Sequence, residues 1–228
     1  MLPFKVNSET PLEDITLDEF LAGQVLLVDK PLEWTSFQVV NKLKYFVRNK
    51  FNLKKFKIGH AGTLDPLATG LLIICTGKMT KSIEGFQGQE KEYTGTITLG
   101  STTPSYDLET EIDAQFPIEH ITKEAIENCA ADFTGEITQI PPIFSALKID
   151  GQRAYKAARK GEEVKMKSRQ VHIREFDVNF DKFPVVSFRI VCSKGTYIRS
   201  IAKDFGKALN SGGHLSSLRR TKIGNHQM

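Results

Sequence analysis

Gly59-His60-Ala61-Gly62-Thr63-Leu64-Asp65-Pro66-Leu67-Ala68-Thr69-Gly70, running straight into Leu71-Leu72-Ile73-Ile74-Cys75, sets one carboxylate in a glycine-bounded loop just ahead of a continuous apolar run. An apolar run of this length, bounded by turn-forming residues, reads as a buried strand. Pro66 biases Asp65 away from helical backbone angles and toward an extended or turn conformation. An acid held at the mouth of a rigid strand is placed as many catalytic groups are, on a loop fixed by a scaffold. Local physics also allows a structural reading, in which Asp65 caps a short helical turn, with Pro66 at its first position and Gly70 closing it. His60, a single imidazole beside glycine, reads by itself as a hydrogen-bonded loop residue.

Working outward, strand and helix patterns alternate without the regular rhythm of a doubly wound parallel sheet. Gln24 to Asp29 is a short apolar strand. Thr35 to Gln38 fits a capping box, after which Val39, Val40, Leu43, Phe46 and Val47 follow helical spacing. Glu92 to Leu99 alternates, with Tyr93, Gly95, Ile97 and Leu99 on one face. Thr122 to Phe133 predicts an amphipathic helix with Ala125, Ile126, Cys129, Ala130 and Phe133 as its apolar stripe. Val185 to Ser193 predicts a strand, and a helix with Ile201, Ala202, Phe205, Ala208 and Leu209 inward runs up to Gly212-Gly213. The expectation is an α+β fold with a mixed, largely antiparallel sheet, in one domain over 1–228 whose first 22 residues form a loosely attached lead-in.

The bulk composition narrows the function. A chain of 228 residues with 40% hydrophobic and 25% charged residues suits a globular protein with a full core. No apolar run reaches bilayer-spanning length, and the N-terminus has no secretory pattern, so the expected location is the cytoplasm, away from membranes. Cys75, Cys129 and Cys192 lie far apart in apolar surroundings and read as reduced, buried thiols. With the five histidines they form no ligand spacing, so no metal is expected. Net charge is only +4, but it is unevenly spread: Asn41 to Lys57 carries seven basic residues and no acid. Lys148 to Arg174 carries nine against three, with Tyr155 among them. Basic runs are often solvated faces, yet two of them are also the footprint expected of nucleic-acid backbone contact.

Four further segments accompany the Asp65 loop. They are Asp29-Lys30-Pro31-Leu32-Glu33-Trp34-Thr35-Ser36, then Lys91-Glu92-Tyr93, then Gln139-Ile140-Pro141-Pro142-Ile143-Phe144-Ser145-Ala146-Leu147-Lys148, then Cys192-Ser193-Lys194-Gly195-Thr196-Tyr197-Ile198-Arg199. The chain closes on Leu218-Arg219-Arg220-Thr221. In this order, from about residue 24 to 224, they resemble the TruB family of tRNA pseudouridine synthases. The resemblance implies isomerisation of uridine 55 in the T loop of transfer RNA to pseudouridine, without change of redox state and without cofactor. It implies that Asp65 is the catalytic aspartate, acting as nucleophile at C1′ or as base at the sugar, with Arg199 as its partner. It makes Tyr93 the aromatic that stacks on the flipped base, His60 the residue that fills space left by flipped nucleotides, and Leu218 an apolar wall of the pocket. Tyr197 joins this set, and if Tyr197 to Arg199 is extended, Tyr197 and Arg199 point to one side. Lys30, Lys148 and Lys194 are candidates for phosphate or structural contacts. Gly151 to Arg174 resembles the family's RNA-gripping insertion.

Three departures from the family pattern stand out. Glu33 and Thr110 each occupy a position where glycine is usual, and Pro104 lies close to the latter. The chain also stops soon after Arg220, so the expectation is a short form without the small C-terminal RNA-binding PUA domain, a monomer with no obligate protein partner. Two other classes fit these residues less well. A non-catalytic RNA-folding factor has no need of a buried acid, and a small-substrate hydrolase would want a second carboxylate or a metal beside Asp65.

Overall fold

The computed structural model describes residues 2–145 and 166–228, together with the backbone of 148–149 and 152–153. From the N-terminus come β1 (Val6–Asn7), α1 (Leu17–Ala22), β2 (Val25–Lys30), α2 (Ser36–Lys50), β3 (Ile58–His60), β4 (Ala68–Thr76), a 3-10 turn at Gly77–Ser82 and α3 (Ile83–Gly88). Next are β5 (Lys91–Leu99), β6 (Ser101–Thr102), β7 (Ala114–Gln115), α4 (Lys123–Asp132), β8 (Gly135–Gln139), β9 (Lys148–Ile149), β10 (Gln152–Arg153), β11 (Arg169–Lys182) and β12 (Val185–Cys192). Helix α5 (Ile198–Ala208), β13 (Gly213–Ile223) and β14 (His226–Gln227) close the chain. The expected α+β class holds, with antiparallel pairing throughout except between β4 and β13 and at one isolated bridge, Asp107 to Leu215, among the described strand pairs. Among the described residues no helix is long and apolar enough to cross a membrane. The chain divides into two units, Met1–Tyr93 with Leu218–Met228, and Thr94–Ser217, so the division falls inside β5 and β13.

In the first unit the strand order is β1-β2-β4-β13, with β3 also on β4 and β14 on β13. Strand β4 is its centre. β2 pairs with residues 70–75 along one edge, while β13 takes 68–70 and β3 takes 74–76 on the other. Alternation then sends Leu72 and Ile74 into one core, with Leu26, Val28, Val39, Leu43 and Val47. Leu71, Ile73 and Cys75 go into another, with Ala61 and Ile223. Both faces are covered, which is why the run is continuously apolar rather than alternating.

Helix α2 begins as the sequence predicts: the Thr35 hydroxyl accepts from the Gln38 N–H, and the Gln38 side chain accepts from the Thr35 N–H. The opening residues differ from expectation, being docked rather than loose. Ile15 and Phe20 are fully buried, Phe20 meets Phe51 and Phe56 edge-on, and Lys50 donates to the carbonyls of Glu13 and Ile15. A capping box at Thr16 and Glu19 starts α1 and was readable in the sequence.

Glu33 adopts φ 65°, the left-handed region that favours glycine. Its side chain is exposed, so nothing forbids the residue sterically, but an L-residue there costs about 1–2 kcal/mol. Glycine loses roughly 0.4–1 kcal/mol of that advantage through unfolded-chain entropy. Glu33→Gly is therefore expected to raise the melting temperature slightly, by about 1–3 °C on the scale for a chain of this size. A lower melting temperature would mean that the Glu33 side chain contributes more than its strain costs.

In the second unit the order is β13-β5-β12-β11-β8. Its core joins Phe133, Phe176, Phe188 and Phe205 in edge-on and tilted contacts, the first from the residue that caps the C-terminus of α4 and the last from α5. A Cβ at Gly95 would stand 2.2 Å from the Ser217 carbonyl oxygen, so only glycine lets β5 and β13 approach here. Strand β11 was not anticipated. The end of the expected RNA-gripping stretch, from Arg169, forms its beginning and pairs with β8, while residues 154–165 lie outside the described residues. All three cysteines are buried. Burial pushes the Cys75 thiol up to about 11 and, with Asp132 adding, Cys129 up to about 12, so both stay protonated at neutral pH.

Candidate active site

The Asp65 loop is tied down along its backbone. It leaves β3 at His60, where the Ala61 N–H donates to Ile73 O at 2.8 Å. Buried Ser36 then clamps Leu64, its hydroxyl donating to Leu64 O at 3.1 Å and accepting the Leu64 N–H at 2.9 Å. After Asp65 the chain makes one tight turn, Ala68 N–H to Asp65 O at 3.1 Å, and enters β4 directly. No helical turn follows, so the capping role open to Asp65 in the sequence is not the one it has. Gly70 has φ 97°, and a Cβ there would lie 2.3 Å from the Arg220 carbonyl oxygen.

Two wholly buried cations hold this loop through carbonyl oxygens. Lys30 Nζ donates to Pro31 O at 2.9 Å, to Trp34 O and to Pro66 O at 3.2 Å, and Pro66 O also accepts the Glu33 N–H at 2.9 Å. Arg220 donates from Nε to Leu71 O at 2.8 Å and from Nη2 to Gly62 O at 3.1 Å, bridging the two ends of the loop. Burial pushes the Lys30 ammonium down to about 8, Asp65 opposing the shift and Arg220 adding to it. Of the two roles open to Lys30 in the sequence, a phosphate or a structural contact, its 0% exposure and its bonds to three backbone carbonyls fit the structural one, a strut for the loop. Burial likewise lowers the His60 imidazole below its ordinary value, a backbone bond at Gly62 opposing and Arg220 reinforcing, so His60 is neutral at neutral pH. Asp65 itself is half-buried.

Three of the six sequence motifs thus meet here, the Asp29–Ser36 segment, the Asp65 loop and the closing segment. Asp29 completes the set with a bidentate pair to Arg219, both contacts at 2.9 Å. Leu218 is half-buried and lies opposite Ala68 in the β4–β13 pairing. Tyr93 is buried on β5, as its place on the apolar face predicts. Arg220 was quoted in the closing motif but not recognised as a site residue, because nothing in a sequence distinguishes a buried arginine from a surface one.

The depressed Lys30 pKa has a measurable sign. The unfolded chain keeps this proton up to about 10.4, the folded chain only to about 8, so the unfolded state binds more protons between those limits. Wild-type stability relative to Lys30→Met is expected to rise across that window, by at most about 1.4 kcal/mol per pH unit. Urea unfolding at pH steps from neutral upward measures it, and a flat difference would mean that Lys30 titrates normally.

In the second unit, Tyr197, Ile198 and Arg199 do not continue as a strand: Tyr197 is extended at φ −99°, ψ 109°, and α5 begins at Ile198. The same-side rule for extended residues therefore does not apply to Tyr197 and Arg199. Arg199 sits in the first helical turn at 3% exposure. Its Nε lies 3.5 Å from Asp107 Oδ2, Nη1 donates to Ser105 O at 3.3 Å and Nη2 to Phe144 O at 2.9 Å. Asp107 is buried as well and accepts the Glu109 N–H at 3.0 Å. The Thr110 hydroxyl, where the family has glycine, meets the Ser105 N–H at 3.1 Å and its hydroxyl at 2.8 Å, fastening the loop that carries Asp107. The burial of Asp107 against Arg199 has no local signature and needs the fold.

Tyr197 is half-buried beneath the Arg169 guanidinium, 4.6 Å above its ring, and Arg169 also donates to Gly195 O. Lys194 is exposed in the turn before it. The Lys148 side chain lies outside the described residues.

The description of the TruB family pseudouridylate synthase N-terminal domain matches residues 48–198. The chain is 63% identical over 215 residues to tRNA pseudouridine synthase B of Flavobacterium johnsoniae, covering 94% of each chain. It is 57% identical over 206 residues to the protein of the same name from Parabacteroides distasonis, covering 90% of this chain and 88% of that one. Among solved structures it resembles a chain of a Cbf5-Nop10-Gar1 complex with a TM-score of 0.68 and 27% identity, over 99% of this chain and 60% of that one. The chain belongs to the TruB family of pseudouridylate synthases.

Proposed function

We propose that this chain converts uridine to pseudouridine in transfer RNA, at uridine 55 of the T loop. The observation that carries the reading is the Asp65 loop: a half-buried carboxylate whose flanking backbone is held by two buried cations and a buried serine, in a chain of this family. The reaction breaks the C1′–N1 bond, turns the base and joins C5 to C1′, while C5 loses its proton and N1 gains one. Atoms and electrons balance within the nucleoside, so no cofactor enters. A carboxylate stabilises positive charge at C1′, whether it attacks that carbon or takes a proton from the sugar.

Tyr93 stacks on the extruded base, offsetting part of the stacking lost from the loop. Arg199, buried against Asp107, supplies a fixed positive charge to the reaction, Tyr197 and Leu218 bind the substrate, and His60 occupies space vacated by flipped nucleotides. A neutral His60 suits that task, since it fills volume without adding charge. Lys194, Lys148 and the basic run Asn41–Lys57 meet phosphates, which makes binding strongly salt-dependent. The chain acts as one catalytic domain, a cytoplasmic monomer with no obligate protein partner.

The test is pseudouridine mapping on an unmodified tRNA transcript. Product at uridine 55, and none when that position is cytidine, is the expected result. Tight tRNA binding with no product from wild type would instead identify an RNA-folding factor.

A further inference from the structure

We infer that Gln139 is a positioning residue for the reaction, fixing the backbone of Tyr197 and with it the helical turn that presents Arg199. The inference rests on the proposed isomerase activity. Gln139 ends β8 at 1% exposure. Its Nε2 donates to Tyr197 O at 3.0 Å, and its Oε1 accepts the Tyr197 N–H at 2.8 Å. One side-chain amide thus holds both backbone groups of one residue, as a neighbouring strand would.

The place of this clamp matters because Tyr197 precedes the first residue of α5 and makes no side-chain capping bond. What ordinarily fixes a helix start is absent, and the Gln139 amide stands in for it. The residues after Gln139 continue the alignment. Ile140 O accepts the Ser200 hydroxyl at 2.8 Å, and Phe144 O accepts Arg199 Nη2 at 2.9 Å. Residues 139–144 therefore set the first turn of α5 position by position, while Arg169 holds the Tyr197 ring from its face. A buried amide with both ends satisfied specifies a geometry that an apolar side chain of the same size does not.

Gln139→Met keeps length and volume and removes both bonds; Gln139→Glu keeps the acceptor and removes the donor. Single-turnover pseudouridine formation, tRNA affinity and melting temperature are measured for each, with rates taken per folded enzyme well below each melting point. The expected result is a rate lowered about 30- to 100-fold in Gln139→Met, tRNA affinity within about twofold, and Gln139→Glu between it and wild type, as a displacement near 1 Å would produce. Should Gln139→Met not fold, Gln139→Glu alone is expected to be about tenfold slow. Rates within about threefold of wild type, even with lower melting temperatures, would reduce Gln139 to a stabilising residue and overturn the inference while leaving the isomerase reading intact. Wild type without product would overturn both.

Discussion

Asp65→Asn forms pseudouridine at least about 10⁴-fold more slowly than wild type, while its affinity for tRNA changes little. The size follows from what the substitution removes. Losing a nucleophile or base from a working constellation costs on the order of 10⁴ to 10⁶ in rate. The loop itself should stay in place, because its described ties are made by Leu64, Pro66, Gly62 and Leu71 through backbone atoms. Asparagine has nearly the shape of aspartate, so the change is chiefly one of charge. That loss also takes a favourable charge from near buried Lys30, so a modest drop in melting temperature is expected as well. Release of the C5 hydrogen from labelled uridine in tRNA, under single-turnover conditions, measures the rate. A variant retaining more than about 1% of wild-type rate would remove Asp65 from the chemistry, since a positioned acid–base group alone is worth about 10²–10⁴.

Asp107→Ala lowers stability by about 3–5 kcal/mol, the range for breaking a buried ion pair by removing one partner. Arg199 and Asp107 are each under 5% exposed, so solvent does little to compensate the guanidinium that remains. The variant also takes the acceptor from the Glu109 N–H and loosens the loop whose Ser105 carbonyl receives Arg199. For a chain of this length the melting temperature should fall by roughly 6–20 °C. Where the variant is still folded, its rate should fall with it, because Arg199 has lost one of the groups that fix its direction. Thermal unfolding together with single-turnover kinetics below the melting point separates the two effects. A change under about 1 kcal/mol with wild-type rate would mean that the remaining partners of Arg199 suffice.

Strand β4, helix α2 with its capping box, β5, α4, β12 and α5 were all readable, because each carries a local period or a local cap that backbone geometry demands. Strand β11 was not. Its pairing with β12 shifts register between Ile173 and Glu175, and again between Asn179 and Lys182. Inward residues therefore run Val171, Ile173 and then Phe176, and the alternation a strand should show is broken. The docked opening residues were missed for a related reason: Leu12, Ile15 and Phe20 reach the core from turns and a short helix, with no repeat to read.

The family, the α+β class and the segment that carries Asp65 are legible in the chain alone, because they are written in contiguous residues whose order and local conformation need no partner. What surrounds them comes from the packing of the whole chain. It buried Lys30 and Arg220 beneath the loop, set Asp107 against Arg199 and closed Gln139 on Tyr197. Each of these pairs residues far apart in the chain, and a polar side chain takes such a role from burial and from the partner it meets. Both of those come from how the elements pack, and no short stretch of sequence encodes them.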